Sequence, residues 1–191
     1  MTDIFPEFDI PPWRIRKFKM SDINLVRAAS ADPLIPLITT IPSVFTEKAA
    51  QAYIERQWSR YNDRIGYSFA IAEAGTDNAI GSIYLGLRNI EDGRASVGYW
   101  IIQDFRGKGI AKTALGKIAE WAQNELQIPR LELYVEPWNT GSIKTAESSG
   151  FKQEGLMRSW QKVGNERKDM IMMSRIVVSQ NNIENARFTP L

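Results

Sequence analysis

The sequence predicts an α+β (mixed α/β) domain built on a central mixed, mostly antiparallel sheet of seven strands flanked by four helices. Three observations predict it. Short runs alternate apolar and polar residues, the period of two that a half-buried strand requires. Longer segments between them repeat apolar residues every three or four positions, the period of an amphipathic helix. One strand leads through a basic, glycine-bearing turn into a helix and on to another strand, the order of a right-handed parallel crossover.

The elements follow in order. In "WRIRKF", Trp13, Ile15 and Phe18 mark a first strand. "SDINLVRAAS" is helical, with Ser21 or Asp22 as its N-cap. "ADPLIPLITTIPSVF" holds three prolines and reads as a loop with at most short turns. Thr46 caps a second helix whose stripe is Ala49, Ala50, Tyr53, Ile54, Gln57, Trp58 and Tyr61. "YSFAIAE", "AIGSIYLGLRN" and "RASVGYWII" are three strands joined by the turns "GTDN" and "EDG", an antiparallel meander. From Lys108 to Leu126 the helical period returns at Ala111, Leu115, Ile118, Ala119 and Ala122. "RLELYVE" is the next strand, and "NTGSIKTAESSG" a short helix closed by Gly150. Two last strands, Lys152 to Val163 and Lys168 to Val177, meet at Gly164 and Asn165, with Met170, Met172 and Met173 in the core. The chain reads as a single domain over 1–191, with its core at about 13–177 and a polar tail at 178–191.

Composition excludes several chemistries. The 191 residues contain no cysteine and no histidine. Disulfides, thiolate metal sites, cysteine nucleophiles, Ser-His-Asp chemistry and the common zinc sites are therefore excluded, and no metal is expected. A formal net charge of +2 gives no support to nucleic-acid binding. "MTDIFPEFDIPPW" lacks the basic start and apolar run of a signal peptide, and no stretch approaches the roughly 20 apolar residues of a membrane span. The expectation is a cytoplasmic protein, monomer or homodimer.

The chemistry-bearing segment is "QDFRGKGIAKTAL". Arg106, Gly107, Lys108, Gly109, Ile110 and Ala111 place a basic glycine turn at the start of a helix. Free N–H groups and the positive end of the dipole make such a start an anion cradle. The Walker spacing is absent, and the dinucleotide pattern fails because its third glycine is Lys112. What stands there is Arg106-x-x-Gly109-x-Ala111.

At these residues the chain resembles the GCN5-related N-acetyltransferase (GNAT) family, whose acetyl-CoA loop reads Gln or Arg-x-x-Gly-x-Gly or Ala. "GYWI" before the loop and "PWNTGSIKTAESSGFKQEG" after it resemble the branch of ribosomal-protein alanine N-acetyltransferases. The resemblance spans roughly Trp13 to Ile176. It implies that the loop's N–H groups hold a CoA pyrophosphate, and that the strands around 97–102 and 131–136 splay to admit the pantetheine arm. It further implies an N–H near Ile101 or Ile102 that polarises the acetyl carbonyl, and an Asn139 that contacts the cofactor. Asn139 is also a sufficient N-cap. The family's usual tyrosine donor is replaced by Ala146, which leaves Ser142 as candidate proton donor; the alternative is that Ser142 caps the helix. The family's usual glutamates are replaced by Ser96 and Gln161. Glu132, Glu136 or a water chain remain as bases, on a strand side expected to face solvent. The implied activity is acetyl transfer from acetyl-CoA to a primary amine, either a protein N-terminus or a small amine such as a polyamine, amino acid or aminoglycoside. No covalent intermediate is expected, since no serine has an adjacent base. The rival reading is a non-catalytic acyl-CoA-binding domain.

Overall fold

A computed structural model describes residues 4–177. The predicted tail at 178–191 lies outside them. The strands are β1 (Phe8–Ile10), β2 (Trp13–Lys17), β3 (Gly66–Glu73), β4 (Ala79–Gly86), β5 (Arg94–Ile101), β6 (Arg130–Val135), β7 (Lys152–Val163) and β8 (Glu166–Ile176). The helices are α1 (Ile23–Ser30), α2 (Ile35–Ile38), α3 (Glu47–Asn62), α4 (Ile110–Asn124) and α5 (Thr140–Ser148). The strands form one open sheet in the order β1-β2-β3-β4-β5-β6-β8-β7. The β5–β6 pair is parallel, as the crossover through α4 requires, and every other neighbouring pair is antiparallel.

The sheet thus has eight strands rather than seven. The addition is β1, which pairs Phe8 with Ile15 and Ile10 with Trp13. Three residues between prolines are too few to display a period, so pairing with β2 makes this strand and local pattern does not. The five helices exceed the expected four by α2, a four-residue turn inside the proline-rich segment. The hairpin at Gly164 and Asn165 forms as expected, with Gly164 at φ +59°.

One cap is corrected. Asp22 directly precedes α1, yet its carboxylate makes no capping bond. It accepts instead from both terminal nitrogens of Arg16, at 2.8 and 2.9 Å, and from the backbone N–H of Lys19 at 2.8 Å. Arg16 is 1% exposed and also donates to Asp77 at 2.7 Å. A buried guanidinium is stable only when such partners surround it.

Two apolar layers sandwich the sheet. Tyr67, Phe69, Ile71, Ile83, Leu85, Val97, Leu131, Leu133 and Met173 pack with Leu115, Ile118 and Ala122 of α4. Ala70 and Trp100, on the opposite face, pack with Leu25, Val26, Tyr53 and Ile54 of α1 and α3. Strand alternation separates these faces, and the second face carries the small polar residues Ser68 and Ser82. Among the described residues no helix is long and apolar enough to cross a membrane.

Candidate active site

The parallel ladder between β5 and β6 ends early. It pairs Arg94 with Arg130, Ala95 with Leu131 and Ser96 with Glu132, and then stops. β5 continues against β4 on its other side, where Ile102 donates its N–H to Ile80 O at 3.0 Å. Backbone groups alternate along a strand, so the N–H groups of Tyr99 and Ile101 face the gap beyond Ser96. This narrows one expectation: Ile102 has its N–H engaged, and of the two isoleucines Ile101 is the one turned to the gap.

A cavity of about 460 Å³ lies at this divergence. β5 contributes Val97 to Trp100, β6 contributes Leu133 to Val135, and Glu136 follows it. Asn139 and Ser142 line one end, and Gln161 reaches it from β7. Leu34, Ile38, Thr39 and Thr40 come from the proline-rich segment, and Tyr53, Gln57 and Arg60 from α3. Residues singled out separately in the sequence therefore meet around one space.

The glycine turn stands beside β5. Gly107 and Gly109 both sit at φ +76°, the left-handed region that favours glycine. Apart from the adjoining residues of the turn and helix, no atom of the described residues lies within 4 Å of where a Cβ would stand at either position. Their glycine identity therefore comes from the turn and from what approaches it, not from packing. Gly109 is the N-cap of α4 and has no side chain to offer. The first intrahelical bond runs from the Thr113 N–H to Gly109 O, which leaves the N–H groups of Ile110, Ala111 and Lys112 without helical partners. Ile110 itself is buried, and Ala111 packs against the same core, so the helix start is rigid. Open αL glycines, orphan donors and a 15-residue helix dipole together fit a diphosphate.

Arg106 has a different role from a free cation. Its Nε donates to Ile101 O at 2.8 Å and its guanidinium pairs with Asp32 at 2.5 Å. Asp32 is 8% exposed and also accepts from the N–H groups of Leu34 and Ile35, at 2.9 and 3.0 Å. Burial alone would raise the Asp32 carboxyl, but these bonds and the Arg106 charge hold it below the usual carboxylate range. The side chain of Arg106 thus fastens the turn to the proline-rich segment, and Lys108 stands over the Phe105 ring at 4.6 Å.

At the start of α5, Asn139 Oδ1 accepts from the Ser142 N–H at 3.1 Å. Asn139 is the cap, so capping does not account for Ser142. The Tyr99 phenol donates to Ser142 O at 3.3 Å, and burial raises its pKa against the opposing effect of the Ser142 and Thr145 side chains. Ala146 is fully buried. Trp100 is buried in the core at the edge of this cavity.

The acids divide. Glu132 does not face solvent as expected: it is 2% exposed. It accepts from Arg130 Nε at 2.6 Å and from the Tyr134 phenol at 3.0 Å, and Arg94 lies 3.7 Å away. That carboxylate is committed to an ion-pair network. Glu136 is half-buried at the cavity, with Trp138 Nε1 donating to it at 2.8 Å. Ser96 lies outside this cavity, on an adjoining one. No group of three or more metal-ligating side chains occurs among the described residues.

Sequence reading missed the cavity floor. Ser68, Ser82 and Tyr84 line it beneath Tyr53. Burial drives the Tyr53 phenol well above its ordinary pKa, although Arg60, Arg56 and a bond with Ser82 oppose this. Ser68 is 2% exposed and its hydroxyl has no hydrogen-bond partner among the described residues. The available signal was the run Ser68, Ala70, Ala72: one whole face of β3 is small, which leaves room beneath α3.

Residues 13–152 match the family model of the acetyltransferase (GNAT) domain. An uncharacterized N-acetyltransferase, p20, of Bacillus licheniformis is 29% identical over 160 residues, 84% of this chain and 90% of that protein. A ribosomal L7/L12 alpha-N-protein acetyltransferase, RimL, solved with coenzyme A, superposes with a TM-score of 0.74 at 18% identity, covering 92% of this chain and 98% of that one. A chimera of the Vibrio cholerae spermidine N-acetyltransferase SpeG with hSSAT gives a TM-score of 0.71 at 18% identity, covering 86% and 95%.

Proposed function

The chain belongs to the GNAT acetyltransferase family, and from that premise we propose that it moves acetyl from acetyl-CoA to a primary amine by direct attack. One observation carries the reading: the open glycine turn with its orphan N–H groups stands beside a strand gap whose cavity also receives Asn139, Ser142 and Glu136. Bound there, acetyl-CoA supplies an activated acyl thioester.

The protein's own part is positional and electrostatic. The N–H groups of Gly107 to Ala111 and the α4 dipole hold the diphosphate. The gap-facing N–H groups of Tyr99 and Ile101 stabilise negative charge on the acyl oxygen, an effect strongest in a water-poor site. Ser142 donates a proton toward the leaving sulfur, and Glu136 accepts the amine's proton, directly or through water. The net change is one new C–N bond, one broken C–S bond and one proton moved from nitrogen to sulfur. An α-amine with a pKa near 8 needs less from Glu136 than a lysine amine near 10.4.

Solved family members named for a ribosomal-protein N-terminus and for spermidine support both acceptor classes, a protein α-amine and a small amine. A non-catalytic acyl-CoA-binding domain is favoured by one observation, the presence of Gln161 at the cavity instead of a carboxylate. Thiol release from acetyl-CoA, measured across panels of peptides and small amines, separates the readings. Release above hydrolysis with an amine, with matching amide product, supports transfer; tight acetyl-CoA binding with no release from any amine supports the binding domain.

A further inference from the structure

The α3 side of the cavity carries charge of one sign. Arg56 and Arg60 on α3 and Arg88, just beyond β4, line a second cavity of about 440 Å³. Arg60 and Tyr84 line both cavities, so the two adjoin. Arg60 lies over the Tyr84 ring at 4.7 Å, and Arg56 donates to Thr40 O at 3.1 Å. Among the described residues no carboxylate comes within ion-pairing distance of Arg56, Arg60 or Arg88. Arg14, Arg16, Arg94, Arg106 and Arg130 each meet an Asp or Glu, whereas all three arginines that line these cavities are without one. Among the described residues Glu136 is the one acid on the first cavity, and the second has none.

An arginine fork left without a carboxylate beside a cavity is suited to bind an oxyanion through two parallel N–H bonds. The buried Ser68 hydroxyl, on the first cavity with Arg60, is a further donor without a partner among the described residues. Both cavities fall in the size range of small-molecule sites, roughly 300–1,000 Å³. A second ammonium on the acceptor would meet Arg60 as a like charge, which disfavours polyamines.

We propose that the acceptor is a small primary amine bearing an anionic group, held by Arg60 with Arg56 and Arg88 beside it. The inference rests on the acetyl-transfer reading and goes further by naming the acceptor's charge. Carboxylates and phosphonates share the required chemistry, and the test separates them.

CoA release is measured with ω-amino carboxylates of four to six carbons, their carboxamides, the diamines of equal length and the corresponding ω-amino phosphonates. Amine chemistry is closely matched across each set, so differences report the far group. The expected result is a kcat/KM for the anionic acceptor at least about tenfold above its carboxamide, with diamines lowest. Arg60→Gln should bring that ratio near one, and Arg60→Lys should restore part of it. Arg88→Gln should reduce the ratio too, and it serves if Arg60→Gln fails to fold. Phosphonates above carboxylates would identify the anion and support the same inference. A wild-type ratio near one, diamines as the best acceptors, or a ratio unchanged in both glutamine variants would overturn it. So would a peptide N-terminus that outpaces every small amine. No release with any acceptor, while acetyl-CoA still binds by calorimetry, would remove both the inference and the transfer reading. Release without charge preference would remove the inference alone.

Discussion

Ser142 and Asn139 stand three residues apart and do different work. Asn139 accepts the Ser142 N–H, so Asn139→Ala should cost about 1 kcal/mol in chemical denaturation, the worth of an N-cap. Ser142→Ala leaves that bond intact and should hold stability within about 0.5 kcal/mol. Its kcat should fall at least about tenfold, with KM for acetyl-CoA little changed, because a leaving-group donor acts as charge develops. A wild-type kcat in Ser142→Ala would take the hydroxyl out of the reaction. Both residues were singled out through the family resemblance, and Asn139 also as an N-cap in its own right. The Arg106–Asp32 pair was not: its members are 74 positions apart, and an arginine in a basic turn looks like a cation awaiting phosphate until its partner is seen. The burial of Glu132 was likewise hidden, since alternation assigns a face but does not say that Arg94 and Arg130 cover it.

At the scale of elements, the turn into α4 makes the sharpest demand. Gly109 at φ +76° admits a side chain only with strain, about 1–2 kcal/mol for a non-glycine residue. Gly109→Val should show that loss in a melting experiment. It should also weaken CoA binding at least about tenfold by calorimetry, because the branched side chain fills space the protein leaves open. Unchanged CoA affinity in the folded variant would remove the turn from the cofactor site. The four longer helices and the seven longer strands were readable because each is long enough to show its period. β1 and α2 were not, since three and four residues carry none. The β5–β6 gap was implied by family resemblance; no periodicity records where a ladder ends.

For the molecule as a whole, acid should be the weak side. Arg130 and then Ser174 hold the Glu154 carboxyl down from 4.5 to about 2, although its side chain is 36% exposed. Asp77, bonded by Lys19 and Arg16, and Asp32 are also held below the usual range against burial. A carboxyl depressed in the folded state stabilises above its unfolded pKa and loses that contribution as pH falls through the folded value. The melting temperature should therefore stay level from neutrality to about pH 5 and drop between about 4.5 and about 2. Glu154→Gln should lower it at pH 7 and flatten that acid slope, moderately, given the solvent around the pair. An acid slope identical to wild type would show that the Arg130 pair is not a source of the drop.

Asp32 has one more consequence. Its two oxygens hold the glycine turn through Arg106 and the proline-rich segment at the cavity through Leu34 and Ile35. Two ligands that each order one of these pieces share a single hinge pin, and thermodynamic reciprocity then applies: the factor by which one tightens the other must be the same in both directions. Asp32→Asn keeps an oxygen for the backbone but gives up the charge on Arg106. Its expected signature is a loss of cross-talk: acetyl-CoA affinity, titrated with and without a saturating acceptor, should differ less than in the wild-type protein. An undiminished difference would mean that the two halves of the cleft communicate by some other route.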